Sequence, residues 1–150
     1  MNNNEVKVLV FKVNEEYFAA DIMEVERILG YEETTKIPEA PYFIDGVRNY
    51  EGNILPVMIL AKKFNVEFNG IQNEAKVIVT KNGEQKIGIL VDSVSEVINV
   101  QENVIEKTPD IASGISKKYV KGLIKLDDRI IIFLNLNSIL SDEEKASLEF

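Results

Sequence analysis

The chain is written twice. At an offset of 69 residues, Val8-Leu9-Val10 lies over Val77-Ile78-Val79, Lys12 over Lys81, Glu15 over Glu84 and Val25 over Val94. The segment IMEVERIL (22–29) lies over VDSVSEVI (91–98), with Ile22, Val25, Ile28 and Leu29 matched by apolar residues. At an offset of 76, Gly46-Val47 lies over Gly122-Leu123, Ile54-Leu55 over Ile130-Ile131 and Leu60 over Leu136. The change of offset puts seven extra residues in the second copy's connection, the polar stretch NVQENVIEKTPDIASGISKKYV with Pro109 and Gly114, which reads as a longer loop. Such a repeat predicts two similar units packed about a pseudo-twofold axis. In 150 residues neither half buries much apolar surface alone, so the two should share one core.

Each copy reads as β-structure. VKVLVFKV (6–13) is a Val-rich strand followed by turn residues. Asn14-Glu15-Glu16 and Asn82-Gly83-Glu84 are hairpin turns, Asn-Gly being the stronger signal because both residues tolerate positive φ. YFAAD and KIGILV are the returning strands, and VERIL and EVINV are short β runs. GVRNYEGNILPVMIL and GLIKLDDRIIIFLNL are hairpins, expected to bend at Gly52-Asn53 and Asp127-Asp128. Pro38 and Pro41 make 36–45 an extended connector, and LAKKF (60–64) fits one helical turn. Ser141 with Glu144 forms a capping box that predicts a short C-terminal helix over about 141–150. Five short strands per unit fit a small barrel.

Composition narrows the function. Formal charge is -8, which repels phosphate backbones and argues against nucleic acid and against anionic lipid surfaces. No stretch approaches the roughly 20 apolar residues of a membrane span, so direct membrane insertion is not expected. The N-terminal MNNNEVK lacks the layout of a signal peptide, and the composition fits a cytoplasmic protein. There is no cysteine and no histidine, which removes thiolate chemistry, the commonest general base and the commonest metal ligand. Catalysis would have to rest on carboxylates, Lys, Ser or Tyr, which makes an enzyme less expected without forbidding one, and no cofactor or metal is expected.

The motifs together are more specific. They are the Val-x-x-Ile of VERI, P-x-F-I-x-G-V-x-N before the first turn, Gly-x-x-x-Pro-Val after it, and the late G-L-x-x-x-x-x-R-x-I-I. From about residue 6 to 142 the chain resembles the bacterial chemotaxis coupling proteins, the CheW family. The same domain also occurs within the chemotaxis histidine kinase and fused to receiver domains, and the free-standing form is the closer match in length. The resemblance implies two intertwined five-stranded SH3-like β-barrels related by a pseudo-twofold, with subdomains at about 14–80 and at about 6–13 plus 81–142. It implies a non-catalytic adapter recruited to membrane-associated receptor arrays. Its partners would be the cytoplasmic tip of methyl-accepting chemoreceptors and the regulatory domain of the histidine kinase CheA. Carried over residue by residue, the receptor-facing set is Val25, Arg27, Ile28, Gly46, Asn49, Glu51 and Gly52, with Arg48 as a further source of positive charge. A kinase contact is expected near Asp45, at a barrel end.

Two positions depart from the family. It usually has Val-x-Glu-Ile where this chain has Val25-Glu26-Arg27-Ile28, and Arg before the turn glycine where this chain has Glu51-Gly52. Either the two positions face each other across neighbouring strands and have exchanged charges, or both are independent solvated charges. Ile59 and Ala61 also stand where the family often has Asp and Arg.

Other chemistry in the sequence reads as structural. Asp127-Asp128, Glu15-Glu16 and Glu32-Glu33 look like paired carboxylates but lie in turns, where solvated charge is the ordinary reading. Asp92 and Glu96 lack the further oxygen ligands of a cation site. Ser113, Ser116 and Lys117 lack the third member of a nucleophilic arrangement. A signalling adapter outside chemotaxis would look the same, whereas a small-molecule-binding barrel would need a cavity of a few hundred Å3, on the order of a ligand's volume.

Overall fold

The structure, a computed structural model, describes residues 4–81, 85–107, 116–141 and 143–144. Strand β1 (Glu5–Val13) explains why one chain makes two barrels that cannot be separated. Alternate residues of a strand point to opposite faces, and here both faces are apolar. Val8 and Val10 enter one core with Ala19, Val100, Ile124, Ile131 and Phe133. Leu9, Phe11 and Val13 enter a larger core with Phe18, Met58, Ile78, Ile89 and Leu134. β1 is therefore a wall between a barrel interior and the core shared by the two barrels.

Two sheets result. The first runs β8 (Ser93–Gln101), β1, β2 (Glu16–Asp21), β11 (Arg129–Leu134), β10 (Val120–Leu126) and β9 (Ile105–Glu106) in spatial order. The second runs β3 (Val25–Gly30), β6 (Lys76–Thr80), β7 (Gly88–Val91), β5 (Asn53–Ile59) and β4 (Ile44–Tyr50). Under the repeat offsets, β1 to β5 correspond to β6, β7, β8, β10 and β11. Corresponding strands then occupy corresponding places in the two sheets. Each barrel takes its first two strands from one copy and its last three from the other. In each barrel one join between the copies is parallel, β2 on β11 and β5 on β7, while the other, β1 on β8 and β3 on β6, and every remaining named pair are antiparallel. This is the intertwined all-β architecture expected from the sequence.

Details differ from the expectation. A division at residues 14 and 81 would cut through ladders: β2 stays with β1 along six paired residues, and β7 stays with β6. The changes of sheet fall between β2 and β3 and between β7 and β8, because each antiparallel pair travels as a unit. The first long hairpin pairs Tyr50 with Asn53, so its turn residues are Glu51 and Gly52, one earlier than predicted. Both have positive φ, 51° and 81°, the twist that suits a two-residue hairpin turn. Residues 36–45 hold two turns, closed by Ala40 N–H to Ile37 O and Ile44 N–H to Pro41 O, and are not simply extended. Pro38 takes the second position of the first turn, where its fixed φ fits. The single helical turn appears as α1 (Leu60–Lys63), and α2 (Ser116–Tyr119) leads into β10. Ser141 and Glu144 exchange the two bonds of the capping box, at 2.9 and 3.1 Å. The rest of that predicted helix, the Asn82-Gly83 turn and the loop around Pro109 and Gly114 lie outside the described residues.

The repeated Gly-Val and Gly-Leu also find a reason. Thr35 forms a two-bond bridge with Val47, at 2.8 and 2.9 Å, which lays the connector against β4. A Cβ on Gly46 would fall 2.4 Å from Thr34 Oγ1 and 2.5 Å from Thr35 O. In the second copy β9 lies against β10, and a Cβ on Gly122 would fall 2.7 Å from Glu106 O. Gly46→Ala and Gly122→Ala should therefore cost toward the upper end of the about 1–3 kcal/mol of overpacking. Gly52→Ala, with open space around it but a left-handed backbone, should cost about 1–2 kcal/mol. Urea denaturation should give lower midpoints for the first two than for the third.

Candidate functional site: the rim of the five-stranded barrel

A bulge in β3 shifts its register on β6 between Val25 and Arg27, so that Val25 pairs with Thr80 and Arg27 with Val79. A bulge leaves one extra residue on the strand and re-aims its neighbours. Glu26 and Arg27 both reach the rim as a result. Arg27 Nη2 lies 3.4 Å from Glu51 Oε2, with each side chain about half exposed, at 54% and 52%. The two residues are partners, but not across a ladder. β3 and β4 stand at opposite ends of the sheet order, so the pair spans the seam where the sheet curls closed. The Arg27 guanidinium also lies 5.7 Å above the Tyr50 ring.

Beneath this pair is a second layer that the sequence reading did not find. The Tyr50 hydroxyl donates to Glu26 Oε2 at 2.6 Å, and Lys86 pairs with the other oxygen of the same carboxylate. The hydrogen bonds from Lys86 and Tyr50 hold Glu26 below the usual carboxylate range, against a smaller opposing effect of desolvation. The bond to Glu26, together with desolvation, pushes Tyr50 up to about 12, so it remains a neutral donor at physiological pH. Tyr50 thus holds Glu26 through its hydroxyl and supports Arg27 on its ring face. No spacing rule joins residues 26, 50 and 86; folding brings them together.

Apolar side chains flank the charges. Ile28 is 38% exposed, while Val25 and Leu29 pack against the core, which is the division that strand alternation predicts. Ile54, at the start of β5, is 57% exposed and pairs in register with exposed Asn49 of β4. A surface depression of about 510 Å3 runs along Tyr50 to Leu55 and is completed by Gln85 and Lys86. Arg27, Ile28, Asn49, Glu51 and Gly52 thus lie exposed on β3 and the β4–β5 hairpin.

Three other predicted residues have structural positions. Gly46 is buried under Thr34 and Thr35. Arg48, whose side chain is only 13% exposed, donates to Gly30 O and to Glu32, each at 3.0 Å. These contacts tie β4 to the end of β3 and to the connector that follows it. Asp45 turns inward, 10% exposed, and accepts from Tyr31 at 2.8 Å, Thr34 at 2.9 Å and Lys36 at 3.2 Å. Burial by itself raises its pKa, but these hydrogen bonds outweigh it and hold the carboxyl below the ordinary range.

The other carboxylates have plain roles. Asp92 accepts from the Asn14 backbone N–H at 2.8 Å, and Glu96 pairs with Arg129. Among the described residues no group of three or more acidic side chains is placed to hold a metal ion. A void lined by Met58, Ile89, Leu136 and Ile139 measures about 10 Å3, too small for a ligand. Among the described residues no helix is long and apolar enough to cross a membrane.

Two measurements test this geometry. A double-mutant cycle on Arg27 and Glu51 should give a coupling of about 0.2–1 kcal/mol that falls as salt rises, because the pair is half exposed. Additive effects would refute the pairing. Asp45→Asn should cost about 1–3 kcal/mol at neutral pH, since it weakens three hydrogen bonds to a mostly buried carboxylate. A depressed folded-state pKa stabilises above the unfolded value and loses that effect as pH falls through the folded one. The gap between wild type and variant should therefore close as pH drops below the ordinary Asp value of 3.8.

The comparisons with known proteins agree with this architecture. The CheW-like domain family matches residues 7–144. The chemotaxis protein CheW of Klebsiella aerogenes is 34% identical over 94% of this chain and 85% of its own length. That of Thermotoga maritima is 33% identical over 92% and 89%. The crystal structure of the scaffolding protein TtCheW from Thermoanaerobacter tengcongensis superposes with a TM-score of 0.81 at 37% identity, covering 88% of this chain and 90% of that one. The double barrel, its exchanged strand pairs and this similarity along nearly the whole chain place the protein in the CheW-like domain family.

Proposed function

We propose that this protein is a non-catalytic adapter. One surface engages the cytoplasmic tip of methyl-accepting chemoreceptors, and another engages the regulatory domain of the chemotaxis histidine kinase CheA. The observation that carries this reading is the rim of the five-stranded barrel. It presents exposed Ile28 and Ile54 beside charges held in place by Tyr50 and Glu26. An apolar strip edged by fixed charge suits an amphipathic helix or helical hairpin. The similarity to coupling and scaffolding proteins supports the same assignment. Binding to receptors would bring the chain to membrane-associated arrays. The void among Met58, Ile89, Leu136 and Ile139 is too small for a ligand and the 510 Å3 depression is open to solvent, which together argue against the small-molecule reading.

Calorimetric titration against the regulatory domain of the cognate kinase, with and without a receptor-tip fragment, tests this. Binding to both without competition is the expected result. Failure to bind the kinase domain would move the protein to another signalling array.

A further inference from the structure

The six-stranded barrel carries a second face built on the same plan. Under the repeat offsets Ile28 corresponds to Val97 and Ile54 to Ile130, and these are 50% and 56% exposed. Arg27 corresponds to Glu96. Glu96 Oε2 lies 3.4 Å from Nη2 of Arg129, the residue just after the equivalent hairpin turn. Arg129 lies 4.6 Å above the Tyr17 ring, as Arg27 lies above Tyr50. Each barrel thus shows two exposed aliphatic side chains, an ion pair from its β3 or β8 strand to its long hairpin, and an arginine on a tyrosine.

The polarity is opposite. On the first face the strand supplies the base and the hairpin the acid; on the second the strand supplies the acid and the hairpin the base. On the first face Glu26 and Lys86 neutralise one another, whereas the second face also exposes Asp127 and Asp128. Folding does not require this difference. An exposed ion pair contributes about 0–1 kcal/mol, and does so in either orientation. Apolar contact discriminates poorly between an Ile–Ile and a Val–Ile face. Only a partner that approaches the surface senses which sign stands on the strand.

We propose that Arg27 and Glu96 are the residues by which partners tell the two barrel faces apart. The segment that docks over Ile28 and Ile54 presents a carboxylate to Arg27, and Glu96 repels that same segment from the second face. This rests on the adapter reading, in which that segment is the receptor tip. Specificity of this kind comes from the repulsive element as much as from the attractive one.

The test uses the whole protein and a receptor-tip fragment, with affinity measured by calorimetry at low and high salt. The double variant Arg27→Glu with Glu51→Arg keeps the internal pair and the net charge. It should melt like the wild type but bind the fragment about tenfold more weakly or worse, most clearly at low salt. Reversing the facing acid of the fragment to lysine should restore the affinity. The exchange Glu96→Arg with Arg129→Glu gives the second face the polarity of the first and should let the fragment bind there as well, raising the fitted stoichiometry above that of the wild type. If the double variant does not melt like the wild type, Arg27→Gln with Glu51→Gln replaces it, with a several-fold loss expected. Wild-type binding that either first-face variant leaves within twofold overturns the polarity rule alone, as does a stoichiometry that the Glu96–Arg129 exchange leaves unchanged. Absence of wild-type binding overturns the receptor reading, and the polarity rule with it.

Discussion

The structure depends on a core that belongs to neither barrel. Leu9, Phe11 and Phe18 from one sheet meet Met58, Ile78 and Ile89 from the other, and all are buried. Each barrel also has a small interior of its own: Val8, Val10, Ile124 and Ile131 in one, Tyr50, Leu55 and Val79 in the other. Those interiors alone are too small to hold a domain together. Exchange of the first two strands places the same strand in a barrel wall and in the shared core. Separating the barrels would therefore break the β2–β11 and β5–β7 ladders as well as expose apolar surface.

With the shared core burying the apolar surface of both sheets, charge and exposed aliphatic groups stand at the rims. Lys63 shows how tightly the junction is held. Its ammonium lies 4.8 Å from the Phe43 ring and pairs with Glu144 at 2.6 Å, with only 10% of the side chain exposed. Burial and a lysine partner act on Glu144 in opposite directions, and the Lys63 bond together with the capping contacts of Ser141 prevails, lowering its pKa. The start of the C-terminal segment is thereby tied to α1. At the rim the same economy recurs: Tyr50 fills the barrel with its ring and orders Glu26 and Arg27 from its edge and face.

Much of the fold was legible because repeated sequence must make repeated structure. The two offsets identified the equivalent strands, and turn residues such as Asn14-Glu15 marked where they reverse. Other features were legible only in part. Glu51-Gly52 was displaced by one residue because an acid is an unusual choice for a left-handed position. Gly46 and Arg48 looked like surface residues within a motif. In the structure Gly46 lets the connector close on β4, and Arg48 fastens it to Gly30 and Glu32. The rim charges were readable as a pair of departures, but their neighbours Glu26 and Lys86 were not, since nothing local links residue 26 to residue 86.

By itself the sequence determined the repeat, the β character of each copy and the alternation that leaves Ile28 outward. These follow from side-chain chemistry and strand period, which are local. The tertiary structure decided which copy supplies each strand pair, that Arg27 meets Glu51 across a closed seam, and that the two barrel faces carry opposite polarity. Those depend on contacts between residues tens of positions apart. Only burial of a shared apolar core specifies such contacts.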